Sequence, residues 1–448
     1  MDIVRSHVMP RQISRRRFVK TTALATAASY FVNPTQAQPS DSPNERLNIA
    51  CVGATGRAGA DIAGVSSQNI IAIADVDSDL LEKGSVKYTQ ANKYRDFRVM
   101  LEKEGDKIDA VVVGATDHTH APAAAMAMRM KKHCYCEKPL THTAYEARTL
   151  ANLAKENNLV TQMGTQIHSM DNYRRVVELI ETGAIGAIQE VHVWAGAVYT
   201  GGKFTTNTPA PKNLDWDLWL GPAVERPYSE GVHPFNWRRF WDYGTGALGD
   251  FGCHYMDLAH WALKLRNPTT VSAHGPDVDP VSTPAWCIVD YEYPARDDLP
   301  PVKLTWYDSG KKPERLKAII KRQPLDQNDK PMNIGSGQLF VGENGMILSG
   351  YTQRSLIPAE DFSDFKAPEP YIPTSIGHHE EWLNAIKSGG PTTCNFDYSG
   401  ALTESVLLGT VAYRSGETIK WDSANLKVTN SDKAQQFVHK EYRKGWVL

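Results

Sequence analysis

The chain has 448 residues, 41% hydrophobic and 22% charged, which is enough for two domains with cores of their own. Its 33 Gly and 26 Pro are too few for a collagen-like or low-complexity chain. The net charge of −2 is uneven: residues 1–37 hold six Arg and Lys against one Asp, a net of +5, so the rest carries −7. A mildly acidic body lacks the clustered cations a nucleic acid requires, so no such partner is expected. No run approaches the roughly 20 apolar residues of a membrane span, so no stable span is expected either.

In chain order, Ser14-Arg15-Arg16-Arg17-Phe18-Val19-Lys20 reads as a twin-arginine export motif. A weakly apolar run, Thr21 to Val32, follows, and Thr35-Gln36-Ala37 offers a signal peptidase small residues at both positions it reads. Residues 1–37 are therefore expected to be a signal peptide, the twin-arginine translocase a partner, and the periplasm the destination. Residues 38–46 read as a polar linker.

Leu47 to Gly53 reads as a strand running into the turn Gly53-Ala54-Thr55-Gly56-Arg57-Ala58-Gly59, with a helix after it. Short apolar runs at 70–75, 108–114, 133–136 and 159–166 alternate with helical segments at 78–91, 121–132 and 142–157. Continuous apolar strands alternating with helices predict a doubly wound parallel sheet over 47–166. Cys134 and Cys136 fall on one face of one strand, badly placed to bridge each other. With Cys51, Cys253, Cys287 and Cys394 scattered, no disulfide framework is expected.

From 167 to 448 the texture changes. Strand-like segments at 187–196, 269–275, 285–293, 301–308 and 337–348 arrive without a helix between each pair. They predict a second, α+β domain with an open-faced, mainly antiparallel sheet. Helices are expected at 171–182, 247–264, 377–388 and 398–414, and a surface loop at 310–336.

The glycine turn sets backbone N–H groups and a helix start against a pyrophosphate, through Gly53, Thr55, Gly56 and Arg57. Asp75 lies 22 residues beyond Gly53 at the end of the second strand. A carboxylate there accepts from a ribose 2′-OH and repels a 2′-phosphate, which favours NAD over NADP. Glu137-Lys138-Pro139 follows a strand, at the sheet edge where such folds bind ligands. In Gly244 to Asp257, Asp250 and His254 are spaced i and i+4, on one face if helical, with Asp257 three residues further. Gly246, Gly249 and Gly252 leave a strip without side chains, at about 1 kcal/mol each against Ala, which suggests close approach of a nicotinamide or sugar ring.

Thr116-Asp117-His118-Thr119-His120, Glu137-Lys138-Pro139, Gly164-Thr165-Gln166 and Gly249-Asp250 through His254 to Asp257 together resemble the Gfo/Idh/MocA oxidoreductases. The likeness runs from residue 47 to the C-terminus; the altered glycine turn is its main departure. It implies a Rossmann domain, an open-faced sheet domain, NAD(P) and oxidation of a sugar or polyol. It also implies Lys138 and His254 as the catalytic pair, with Asp250 as an orienting or substrate residue. Thr116, His118, His120, Glu137 and Lys138 are expected to join the cofactor site, though a structural role suits His118 and His120 equally.

The side-chain chemistry agrees. An imidazole such as His254 takes an alcohol proton, and Lys138 stabilises the developing alkoxide while its charge keeps His254 neutral. Gln166, Trp237, Arg238 and Asp257 are the substrate candidates. Trp216, Trp219, Trp237, Trp241 and Trp261 suit a carbohydrate cleft or, equally, a Trp-rich core and subunit interface; a homo-oligomer is expected. Adjacent His378 and His379 diverge on a helix, so no metal is expected. The expected activity is a periplasmic, NAD-dependent oxidation of a secondary hydroxyl of a sugar or glycoside, with NAD that does not dissociate. The alternative is a glycosidase-like lyase acting through a transient keto-sugar and elimination, with no net redox change.

Overall fold

The computed structural model describes residues 46–205 and 208–448. The twin-arginine segment, and the linker up to residue 45, lie outside these.

Six strands form the first sheet: β1 (Asn48–Val52), β2 (Asn69–Ala74), β3 (Asn92–Tyr94), β4 (Ala110–Val113), β5 (His133–Cys136) and β6 (Thr161–Met163). Every neighbouring pair is parallel and the order is β3-β2-β1-β4-β5-β6. Helices cover both faces, which is why β4 is an unbroken buried run of Ala-Val-Val-Val. Ile49, Cys51 and Val112 pack on one side, and Ala50, Val111, Val113, Cys134 and Cys136 on the other. All six cysteines are buried free thiols. β3 was not foreseen: Asn-Lys-Tyr carries no apolar signal, because this edge strand is mostly exposed.

The second sheet has nine strands: β7 (Ile188–Trp194), β8 (Thr270–His274), β9 (Ile288–Tyr293), β10 (Val302–Tyr307), β11 (Gly337–Gly342), β12 (Gly345–Ser349), β13 (Arg354–Ile357), β14 (Ile419–Asp422) and β15 (Lys427–Val428). Its order is β13-β12-β11-β7-β10-β9-β8-β14-β15, with β7 and β10 parallel and the other pairs antiparallel. Strands β13, β14 and β15 lie beyond the strand segments expected from the sequence, and two helical regions also depart from expectation. The loop at 310–336 contains a helix, Glu314–Lys321, because Leu316 and Ile319 share one face and bury against Trp194, Leu339 and Leu348. The helix expected over 247–264 is two, Gly246–Tyr255 and Asp257–Ala262, joined at Met256.

The 20-residue helix Phe396–Ser415 joins the two sheets' surroundings. Gly400 admits Ala147 and Ala151 of the Ala144–Glu156 helix, where a Cβ would sit 3.2 Å from that of Ala151. Beside it Arg148 makes a two-pronged bond to buried Glu404, at 2.8 and 3.0 Å, and the Trp421 indole donates to the same carboxylate. Among the described residues no helix is long and apolar enough to cross a membrane.

Candidate active site

The sheet order reverses between β1 and β4, which leaves a crevice beyond their C-terminal ends. Gly53 ends β1 with φ +94°, and its N–H donates to the Ala74 carbonyl at 2.8 Å. A Cβ on Gly53 would lie 2.8 Å from the Ala58 Cβ and 3.1 Å from the Gly114 oxygen, so only glycine fits. Thr55 is the N-cap of the Gly56–Gly64 helix, yet its hydroxyl makes no capping bond and the first turn holds no acid. Free N–H groups and the positive end of the helix dipole are therefore left for an anion. Asp75 accepts from Ala54 N and Asp77 N, both at 3.0 Å. Burial raises its pKa, against the pull of those two N–H groups.

A cavity of about 480 Å3 fills the crevice. Of the expected residues it takes in Gly53, Thr55, Gly56, Arg57, Asp75, Thr116, Trp237 and Arg238. Its other wall joins Trp219 and Trp237, two of the tryptophans singled out above, to Leu218, His233, Pro234 and Phe235, which carried no expectation. The chain before that wall is pinned to the end of β2. Asn213 donates to Asp77 at 2.9 Å, its carbonyl accepts from Ser78 N and Arg95, and Asp215 N donates to the Val76 carbonyl at 3.0 Å. His233 lies 3.2 Å from Asp77. The run from β7 to the Gly246–Tyr255 helix far exceeds an ordinary connection, and that length together with its tryptophans was the available signal.

Lys138, just past β5, meets the Gly246–Tyr255 helix. Its ammonium donates to Asp250 Oδ1 at 2.7 Å and to the Asp250 carbonyl at 2.9 Å. Burial alone would lower the Lys138 pKa; Asp250 and Glu137 outweigh it and the net shift is upward. Burial likewise works to raise Asp250, but Lys138 and Arg238 hold it below its ordinary value. Arg238 Nε stands 3.6 Å from the same Asp250 oxygen, which links this cluster to the cavity that Arg238 lines. Thr245 donates to Asp117 at 3.2 Å, and burial, then Asp250, push the Asp117 carboxyl up to about 7. Asp117 is not among the site residues expected from the sequence, where it stands only within the Thr116 to His120 motif.

His254 follows Asp250 by one helical turn. Burial, then the Lys138 charge, lower its pKa to about 3, so the ring is neutral, and its Nδ1 is buried without a partner. The neutral ring agrees with the expected effect of the Lys138 charge. Of the two parts expected of Asp250, the structure shows no orienting bond to the imidazole, since its Oδ1 accepts from Lys138.

The remaining candidates lie outside the cavity. Glu137 accepts from Arg57 Nε at 3.0 Å and from Gln166 Nε2 at 2.6 Å; burial, then Asp61, raise it to about 8. Gln166 also donates to the Tyr135 hydroxyl. His118 has the Trp219 carbonyl at 2.9 Å from Nε2 and the Tyr243 carbonyl at 3.3 Å from Nδ1, and His120 has those of Pro139 and Ala115 at 2.8 and 3.0 Å; each neutral ring donates its one N–H to one of its two carbonyls, so both imidazoles are engaged in the scaffold. Asp257 is fully buried, bonded to His168 at 2.9 Å and to the Tyr398 hydroxyl at 2.7 Å, and is not brought to the Lys138 cluster. His378 and His379 diverge, to the Met163 carbonyl and to Asp61. Trp216 and Trp219 stack on each other, and Trp261 stacks on His168. The glycine strip is not a ligand face: Cβ atoms at Gly246 and Gly252 would meet Thr283 at 3.0 Å and Val406 at 2.9 Å, and one at Gly249 would collide with Thr245. The strip admits protein.

Residues 47–165 match the NAD-binding Rossmann-fold domain of the oxidoreductase family, and residues 174–298 match the family's C-terminal alpha/beta domain. The chain belongs to the Gfo/Idh/MocA oxidoreductase family. It is 25% identical over 191 residues to levoglucosan dehydrogenase of Pseudarthrobacter phenanthrenivorans, covering 43% of this chain and 42% of that protein. It is 27% identical over 147 residues to myo-inositol 2-dehydrogenase of Thermotoga maritima, covering 33% and 40%. The matched segments thus span less than half the length of these relatives. In fold it is similar to the WlbA dehydrogenase from Bordetella pertussis in complex with NADH and UDP-GlcNAcA, at TM-score 0.57 and 14% identity over 84% of this chain and 99% of that one. It is also similar to levoglucosan dehydrogenase in complex with NADH and levoglucosan, at TM-score 0.54 and 18% identity over 84% and 99%.

Proposed function

We propose that this protein is an NAD-dependent oxidoreductase acting on a secondary hydroxyl of a sugar or glycoside. The observation that carries the reading is the meeting of Lys138, Asp250 and His254 beside a cavity built on an uncapped helix start. The residues fit NAD. Gly56 has φ +60° with nothing within 4 Å of a Cβ, so the first turn is open to a pyrophosphate. Asp75 presents a fixed carboxylate to a ribose diol and would repel a 2′-phosphate, while Arg95 is already engaged with the Val76 and Asn213 carbonyls.

Nicotinamide, when bound, supplies the acceptor for a hydride leaving carbon. The protein's part is the proton and the charge. The neutral His254 ring takes the hydroxyl proton. The Lys138 ammonium, held by Asp250, donates to the same oxygen as negative charge develops on it.

The same reading includes export and a cofactor that stays. Arg15 and Arg16 form the twin-arginine signal, and a chain exported already folded carries NAD with it. The wall over the glycine turn, pinned through Asp77, Asn213 and Arg95, supports retention. Denaturing the purified mature protein is expected to release about one NAD(H) per chain, and turnover is expected without added NAD. An empty protein that works only with millimolar NAD refutes retention. Incubation with a glycoside panel separates a ketone or lactone product from aglycone release without net oxidation, which would favour the lyase. Replacing Arg15 and Arg16 by Lys is expected to leave the protein in the cytoplasm; unchanged export overturns the signal.

A further inference from the structure

A second cavity, of about 500 Å3, lies where Gly244-Thr245, before the Gly246–Tyr255 helix, meets residues 435–441. It shares no lining residue with the first. Arg414, from the last turn of the Phe396–Ser415 helix, lines it. The guanidinium carbon sits 5.0 Å from the Trp241 ring centre and 4.3 Å from that of Phe437. No described residue accepts a hydrogen bond from this guanidinium. Burial lowers its pKa to about 10, with only Asp242 acting the other way. Asp242 is itself paired to Arg226.

Lys440 lines the same cavity, and its charge is accounted for. It donates to His142 Nδ1 at 3.0 Å and stands 3.4 Å from Glu146. His142 Nε2 faces the Gly244 carbonyl at 3.2 Å, so this ring is neutral with its proton on Nε2. Glu441 is exposed at the rim. Arg414 is thus the lining cation that has no ion-pair partner among the described residues. Arg414 is half-buried, and a planar guanidinium stacked against two aromatic rings keeps its fork ready for a carboxylate or phosphate.

We propose that this second cavity binds a small organic anion, a carboxylate or phosphate ester on a ring or short apolar body, with Arg414 as its principal charge partner. Trp241, Phe437, Pro222 and Val224 supply the apolar wall. The inference is independent of the reaction proposed above.

The test is calorimetric titration of the full mature chain, saturated with NAD so that the dinucleotide cavity is filled. The probes are benzoate and inorganic phosphate. Saturable binding of at least one, one per chain, is expected. Arg414→Leu is expected to weaken it at least tenfold. Gln436→Glu, an exposed substitution on the lining that leaves the fold alone, is expected to weaken it as well by repulsion. If Arg414→Leu fails to fold, Gln436→Glu decides. Absence of saturable binding to the unaltered protein, or binding that the deciding variant leaves unchanged, overturns the proposal.

Discussion

At the residue scale, the buried Lys138–Asp250 pair sets the electrostatics. Each charge is stable in the interior only because the other offsets burial, and Lys138 also keeps His254 neutral. Lys138→Ala and His254→Ala are expected to lower turnover by roughly 10²- to 10⁴-fold, the range of a positioned acid or base. Cofactor content is expected to persist, since neither residue lines the cavity at the glycine turn. Lys138→Ala also strands a buried carboxylate, a loss of about 3–5 kcal/mol in comparable pairs. Lys138→Met with Asp250→Asn removes both charges together. That double variant is expected to recover stability in urea melts while turnover stays low. Turnover close to that of the unaltered enzyme would place the chemistry elsewhere.

At the scale of elements, the three glycines in the Gly246–Tyr255 helix were read from the sequence as making room for a ligand. Packing assigns the room to protein. Gly252 faces Val406 of the long helix, whose two methyls would lie 2.9 and 3.0 Å from an added Cβ. Gly252→Ala is therefore expected to destabilise the fold by about 1–3 kcal/mol through overpacking. Val406→Ala in the same chain is expected to recover part of the loss, as a double-mutant cycle in urea would show. A raised KM with unchanged stability would restore the ligand reading. The glycine turn after β1 is a different case. Its positive φ is a local requirement and so could be read from the chain itself, while the close Gly114 carbonyl comes from packing against β4.

At the scale of the whole molecule, buried neutral histidines tie stability to pH. His118, His254, His260 and His378 are each lowered from 6.5 to about 3 by burial first of all. Below pH 6.5 the unfolded chain binds protons there that the folded chain does not. Stability contributed by the neutral rings is thus lost as pH falls from about 6.5 toward 3. Asp117 and Glu137, raised to about 7 and about 8, act oppositely: the folded state binds their protons first, so their part falls as pH rises from about 4 to 8. The histidines are the larger set, so the melting temperature is expected to be highest near pH 6.5 and lower at pH 4.5. Equal melting temperatures at 4.5 and 6.5 would overturn this balance.

The sequence alone determined what depends on neighbours along the chain. The period of apolar runs distinguished the parallel sheet from the mixed one. The glycine turn, the acid after β2 and the i, i+4 spacing of Asp250 and His254 are short-range patterns with a direct geometric meaning. Tertiary structure decided which side chains answer one another across the chain. Asp250 is taken by Lys138 from 112 residues away, which no spacing along a helix foretells. Asp257 turns to His168 and Tyr398, and His118 and His120 hold backbone carbonyls instead of bordering the crevice. The second wall of the cavity comes from a long connection whose placement rests on Asn213, Asp77 and Arg95 meeting at the end of β2. Such meetings follow from how sheets, helices and loops pack in three dimensions. A linear pattern records propensity and period, and has no term for the partner a buried charge will find.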